Sequence, residues 1–184
     1  AEKNIRVSGA FDYSPVLANP TLRSVAKLLE RPLMGDPSKK LRIIHNTQLG
    51  AASAQKVIDN LRESTLLIST SSRDELLVTL SSLYNIPSFH HLIAGIVIPG
   101  HAPVSAITQR IIDDSGIPYI RIEQTTAEAF SALSGHVSKI SAEDTEKISL
   151  ITSQAEQVID FDAIESLLDT TGSPADKYAS FRAA

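Results

Sequence analysis

Two polar stretches in this sequence each follow an apolar run and carry groups able to meet an anion. Ser69-Thr70-Ser71-Ser72-Arg73 comes after Leu66-Leu67-Ile68, and Pro99-Gly100-His101 comes after Gly95-Ile96-Val97-Ile98. Hydroxyls, a glycine backbone beside a helix start, an imidazole and a permanently charged guanidinium suit a carboxylate or a phosphate. Ser71, Ser72, Arg73, Gly100 and His101 are therefore the candidate ligand contacts. The alternative for the serines is plain capping of the next helix by Ser71 or Ser72, with Asp74-Glu75 complementing its dipole.

The chemistry stops at binding. The Gly95-x4-Gly100-His101 spacing has the outline of a phosphate-cradling loop, but Ile96, Val97 and Ile98 read as strand interior. His101 stands where the loop needs Lys, and Ala102 where it needs a hydroxyl for magnesium. There is no Gly-x-Ser-x-Gly elbow and no pair of carboxylates at strand ends, so no catalytic residue is expected. His90-His91 are adjacent, diverge, and have no carboxylate at helical spacing, which reads as a surface loop rather than a metal site. No metal and no cofactor are expected.

The bulk properties agree with a small-molecule partner. The chain has 184 residues, a formal charge of −4, 42% hydrophobic and 21% charged residues, and no cysteine. Thiolate metal sites, disulfides and thiol nucleophiles are excluded. The densest basic run, Lys39-Lys40-Leu41-Arg42, is too short for a nucleic-acid stripe. The apolar runs are far below the ~20 residues that span a bilayer. The start, Ala1-Glu2-Lys3-Asn4, carries no signal-peptide pattern, which makes the cytoplasm the expected compartment and, without an initiator Met, suggests a piece of something longer.

The elements that must position these residues are legible as an alternation. Leu41-Arg42-Ile43-Ile44, Leu66-Leu67-Ile68, Gly95-Ile96-Val97-Ile98 and Tyr119-Ile120-Arg121-Ile122 read as strands, with Pro32-Leu33-Met34 as an extra edge strand. Helical spacing appears at Ala54, Val57, Ile58 and Leu61, at Leu76, Leu77, Leu80 and Tyr84, and at Val104, Ile107, Ile111 and Ile112. Thr125-Thr126-Ala127-Glu128 is a capping box, and Asn19-Pro20-Thr21 opens a helix running to about Glu30. Strand and helix alternating every ~25 residues imply parallel crossovers and a three-layer α/β/α domain with about four to five strands. From Ala142 to Leu168 the spacing predicts one helix, or two broken near Asp160-Phe161-Asp162, as a C-terminal helical extension. The expected boundaries are residues 1–36 for a tail and lead-in helix, 37–140 for the α/β domain, 141–169 for the helical segment and 170–184 for a linker.

The ordered set of segments resembles the DRTGG domain of long-form bacterial phosphate acetyltransferases. The segment Ser69–Leu77, the run Ala94-Gly95-Ile96-Val97-Ile98-Pro99-Gly100, Gly116-Ile117-Pro118-Tyr119 and the segment Phe161–Leu167 lie where the family has its corresponding motifs. Asn19-Pro20-Thr21-Leu22-Arg23 resembles the helix that trails the preceding domain. Ser173-Pro174 through Phe181-Arg182 resembles the linker to a catalytic domain. Two departures stand out. Ser72 replaces the family's Asp beside Arg73, and Ile98-Pro99-Gly100 replaces Thr-Gly-Gly, which removes a hydroxyl and a backbone donor. The resemblance implies a parent that converts acetyl-CoA and phosphate to acetyl phosphate and CoA. It implies for this chain a non-catalytic regulatory or oligomerisation domain sensing a small anionic metabolite or nucleotide. The implied partners are a homo-oligomer and the parent's C-terminal catalytic domain. A purely structural dimerisation module, with Leu83, Tyr84, Ile86 and Phe89 facing a second copy, and a stand-alone flavodoxin-like enzyme are the alternatives.

Overall fold

The structure is a computed structural model that describes residues 9, 10, 12, 14–136 and 139–169. The expected linker at 170–184 and the residues before Gly9 lie outside the described residues. Two compact units are distinguished: residues 14–147, which hold the sheet, and residues 1–13 with 148–184.

In the first unit the strands are β1 (Leu33–Met34), β2 (Asn46–Leu49), β3 (Thr65–Ile68), β4 (Ile93–Ile98) and β5 (Tyr119–Arg121), in the order β1-β5-β4-β3-β2. β2 to β5 run parallel, and β1 closes the β5 edge antiparallel. The helices are α1 (Pro15–Ala18), α2 (Leu22–Leu28), α3 (Ala54–Asp59), α4 (Asp74–Tyr84), α5 (Pro87–His90), α6 (Ala106–Ser115) and α7 (Thr126–Ser134). α8 (Thr145–Val158) and α9 (Phe161–Asp169) follow as two helices, with the break at the expected place.

Because β2 to β5 are neighbours in sequence order, the sheet advances in one direction. Right-handed crossovers then put α3, α4 and α6 on a single face. The core follows this rule. Val57, Leu76, Leu77, Leu80 and Ile112 meet Leu67, Ile96, Ile98 and Tyr119 on that face. Leu22 and Val25 of α2 and its C-cap Leu29, with Ala129 and Leu133 of α7, meet Leu66, Ile68, Val97 and Ile120 on the other. A sheet covered on both faces needs apolar residues at every position, which is why β3 and β4 read as unbroken apolar runs. The α/β three-layer expectation is correct.

One detail departs from the sequence reading, and a second adds to it. The strand expected at Leu41–Ile44 is instead β2, which begins at Asn46. Ile43 and Ile44 are buried, but they bind the start of α2: Ile43 bridges Thr21, and the Ile44 N–H donates to the Pro20 carbonyl at 2.8 Å. β2 is a half-exposed edge strand, so its polar residues Asn46, Thr47 and Gln48 carry no apolar signal. The second detail is Gly95. The β3–β4 register shifts at Thr65/Leu66, a bulge that turns Ala94 and Gly95 toward one side. A Cβ at Gly95 would sit 2.7 Å from the Pro118 carbonyl and 3.2 Å from Leu22. Gly95 is there for close approach of strand and helix, not as part of a phosphate loop.

Candidate functional site

The parallel register brings the two candidate stretches to one edge of the sheet. β3 and β4 end side by side, and the Ser69 N–H donates to the Val97 carbonyl at 3.0 Å. The turn after β3 therefore lies beside the turn after β4, where ligands of parallel sheets gather. The sheet does not reverse direction between β2 and β5, however. The edge is a row of loops rather than the crevice that a doubly wound sheet opens at its switch point.

Each loop is held by an arginine from a neighbouring segment. Arg73, directly after the β3 turn, donates through Nη1 to the Gly50 carbonyl at 2.6 Å and through Nη2 to the Ala52 carbonyl at 2.8 Å, fixing the loop after β2. Its Nε meets Glu75 at 2.6 Å, so its charge is already paired. The guanidinium beside Glu75 lowers that carboxyl below its ordinary range. Arg121, the last residue of β5, does the same for the loop after β4. It donates to the Ile98 carbonyl at 3.4 Å, to the Gly100 carbonyl at 2.9 Å and to the Ala102 carbonyl. No carboxylate accepts from it among the described residues, and partial burial lowers its pKa.

The five candidate residues divide into distinct local roles. Ser71 is buried, Ser72 is exposed, and the Ser72 hydroxyl pairs with Thr70 at 2.9 Å. Neither serine caps α4: Arg73 holds the N-cap position without a side-chain cap, while Asp74 and Glu75 complement the helix dipole. Ser69 was not singled out by its sequence, yet its hydroxyl is buried with no hydrogen-bond partner among the described residues. Gly100 has φ +97°, a conformation that favours glycine, and a Cβ there would meet nothing within 4 Å. Its N–H donates to the Gln124 carbonyl at 3.0 Å and its carbonyl serves Arg121, so its backbone is fully engaged. His101 is exposed beside it. α6 starts at Ala106 under a Ser105 cap, which leaves Pro103 in the loop rather than in the first helical turn.

Arg121 is the residue that pattern reading missed. A charge between Ile120 and Ile122, both buried, at the end of an otherwise apolar strand was the available signal. At the opposite edge His90 ends the short helix α5 instead of sitting in a loop, and its Nδ1 lies 2.9 Å from the Tyr84 carbonyl. Among the described residues no group of three or more His, Asp or Glu is placed to hold a metal ion, and no helix is long and apolar enough to cross a membrane.

The profile of the DRTGG domain family matches residues 24–136, more than half of the chain. The chain belongs to the DRTGG domain family. In this DRTGG domain both loops of the candidate edge fall inside the match. Among solved structures, the chain is similar to the CBS and DRTGG domains of the regulatory region of Clostridium perfringens pyrophosphatase, complexed with the activator diadenosine tetraphosphate. The identity is 13% and the TM-score 0.49, over 83% of this chain and 66% of that one. The DRTGG chain thus spans just under two thirds of that structure's length.

Proposed function

We propose that this DRTGG domain is a non-catalytic sensing module of a longer protein, and that it reads a small anionic metabolite or nucleotide at the carboxyl edge of its sheet. The observation that carries the reading is Arg121: a guanidinium without a carboxylate partner among the described residues, set under a loop whose Gly100 borders open space. Arg121 has five N–H donors and uses three of them on carbonyls, so two remain for an anion. His101 is the exposed polar residue between the two loop carbonyls that Arg121 binds, while the exposed Ser72 and the buried Ser71 belong to the turn after β3 and Arg73 holds the loop after β2.

The parent that the motif order favours is a phosphate acetyltransferase working in acetate metabolism in the cytoplasm, with this domain regulating or assembling it as a homo-oligomer. The interface expectation narrows in one respect: Tyr84 is buried, and of the four residues considered only Ile86 is strongly exposed, at 43%.

The test is calorimetry and thermal shift of the domain with ATP, NADH, pyruvate and phosphoenolpyruvate. At least one should raise Tm, and the response should vanish in His101→Ala combined with Arg121→Lys. Silence toward all four would remove the sensing role. An acetyltransferase assay on the full reading frame tests the parent separately.

A further inference from the structure

A second anion-attracting surface lies along the outer face of α2. The buried stripe of α2 is Leu22 and Val25, continued by the C-cap Leu29. One step round the helix come Arg23 and Lys27, a turn apart and so about 6 Å along the axis. With Arg31 and Lys40 they border an open groove of about 540 Å³, in which Glu30 is the one acidic lining residue. The facing wall is the segment around β1, where Pro32, Leu33 and Pro37 supply an apolar floor. That wall is tied to the helix: the Leu22 N–H donates to the Arg42 carbonyl at 3.1 Å and the Arg23 N–H to the Lys40 carbonyl at 2.8 Å. The volume falls within the ~300–1,000 Å³ of small-molecule sites.

The charges are available rather than locked. Lys27 and Lys40 make no ion pair among the described residues. Arg23 is paired with Glu143 and Arg31 with Glu123, and these pairs are exposed, with 47% and 40% of the arginine side chains open to solvent. Exposed pairs are held by only about 0–1 kcal/mol, so a phosphate can displace the carboxylate. On a chain with net charge −4, the groove lining of four cations and one carboxylate stays positive even with Glu143 and Glu123 paired to two of the cations.

We propose that this groove binds a small phosphorylated ligand with a flat apolar group, of the nucleoside polyphosphate type. Its phosphates would lie on Arg23, Lys27 and Lys40, and its ring on the Pro32–Leu33–Pro37 floor. The site is separate from the one at Arg121, and either can stand without the other.

Calorimetry of the whole chain with ATP and with inorganic tripolyphosphate, at low ionic strength, tests it. Both should bind, ATP more tightly because tripolyphosphate leaves the floor empty. Lys27→Gln with Lys40→Gln should weaken ATP at least tenfold while the circular dichroism and Tm stay unchanged. Glu143→Gln, which frees Arg23, should strengthen binding a few-fold, an effect that a damaged fold does not produce. No binding of either probe overturns the groove. So does ATP binding that survives the double lysine variant and is lost in Arg121→Lys; that outcome places the ligand at the strand ends. Binding lost in the lysine variant and kept in Arg121→Lys supports the groove alone.

Discussion

The loop after β2 and the loop after β4 are built on one plan and differ in what they leave free. Both are short, both contain a glycine, and both are tied down by an arginine that donates to loop carbonyls. The β2 loop is closed. Gly50 is buried, a Cβ there would meet Leu76 at 2.8 Å and Ser69 at 3.1 Å, and the Arg73 charge is matched by Glu75. The β4 loop is open. Gly100 has empty space where a side chain would be, and the Arg121 charge has no acidic partner among the described residues. An arginine that is neutralised and surrounded can only hold structure. One that is unmatched beside open space can hold structure and still meet a ligand.

The largest expected effect comes from removing the unmatched clamp. Arg121→Ala strips a charged donor from three carbonyls, of which only Ile98 keeps another, the Ile122 N–H at 3.1 Å, and bonds to a charged donor contribute about 1.5–3 kcal/mol. Because water reaches part of the loop, a loss of about 2–3 kcal/mol in urea unfolding is expected. Arg73→Ala should cost less, since it releases two carbonyls and one exposed ion pair. A larger loss at Arg73 than at Arg121 would break the comparison.

Next come the glycines, which test closed against open directly. Gly50→Ala forces the buried Leu76 aside and should cost about 2 kcal/mol, typical of overpacking. Gly100→Ala meets no atom, so only the left-handed backbone is strained, at about 1 kcal/mol. The two failures also differ in kind. Replacing Leu76 by Ala should rescue Gly50→Ala in part and do nothing for Gly100→Ala. Equal effects on both glycine variants would mean that the β2 loop is as roomy as the β4 loop.

How much of this the sequence shows depends on whether a residue's role is set by its neighbours in the chain or by the sheet. The buried strands Leu66-Leu67-Ile68 and Gly95-Ile96-Val97-Ile98, the capping box at Thr125 and Glu128, and the break before α9 are local, and pattern reading finds them. Family membership is equally legible from the order of motifs. The polar edge strand β2 is not, because an edge has no apolar face to announce it. Nor are the arginine roles. Arg73 looks available from its neighbours, yet its partners Gly50 and Ala52 lie more than twenty positions earlier. Arg121 looks like a strand residue, yet it reaches back to residues 98–102. Such partners are fixed by which strands pair, and pairing order is the part of a parallel sheet that local pattern does not encode.

The smallest expected effect is the difference in pH response between the two clamps. Glu75 is held below the ordinary carboxylate range, first by its hydrogen bond from Arg73. A carboxyl lowered in the folded state contributes stability that is present above its unfolded pKa and is lost as the pH falls through the folded value. The contribution is slight because Glu75 is exposed and screened. Among the described residues Arg121 has no titrating partner in that range, so its clamp keeps its strength. The stability difference between wild type and Glu75→Gln should therefore shrink as the pH is taken from 6 down through the carboxylate range, while the difference between wild type and Arg121→Lys stays flat. Urea midpoints measured across that range decide it. A Glu75→Gln difference that does not change with pH would mean that Arg73 is not neutralised by Glu75, and with that the contrast between a matched and an unmatched arginine would be lost.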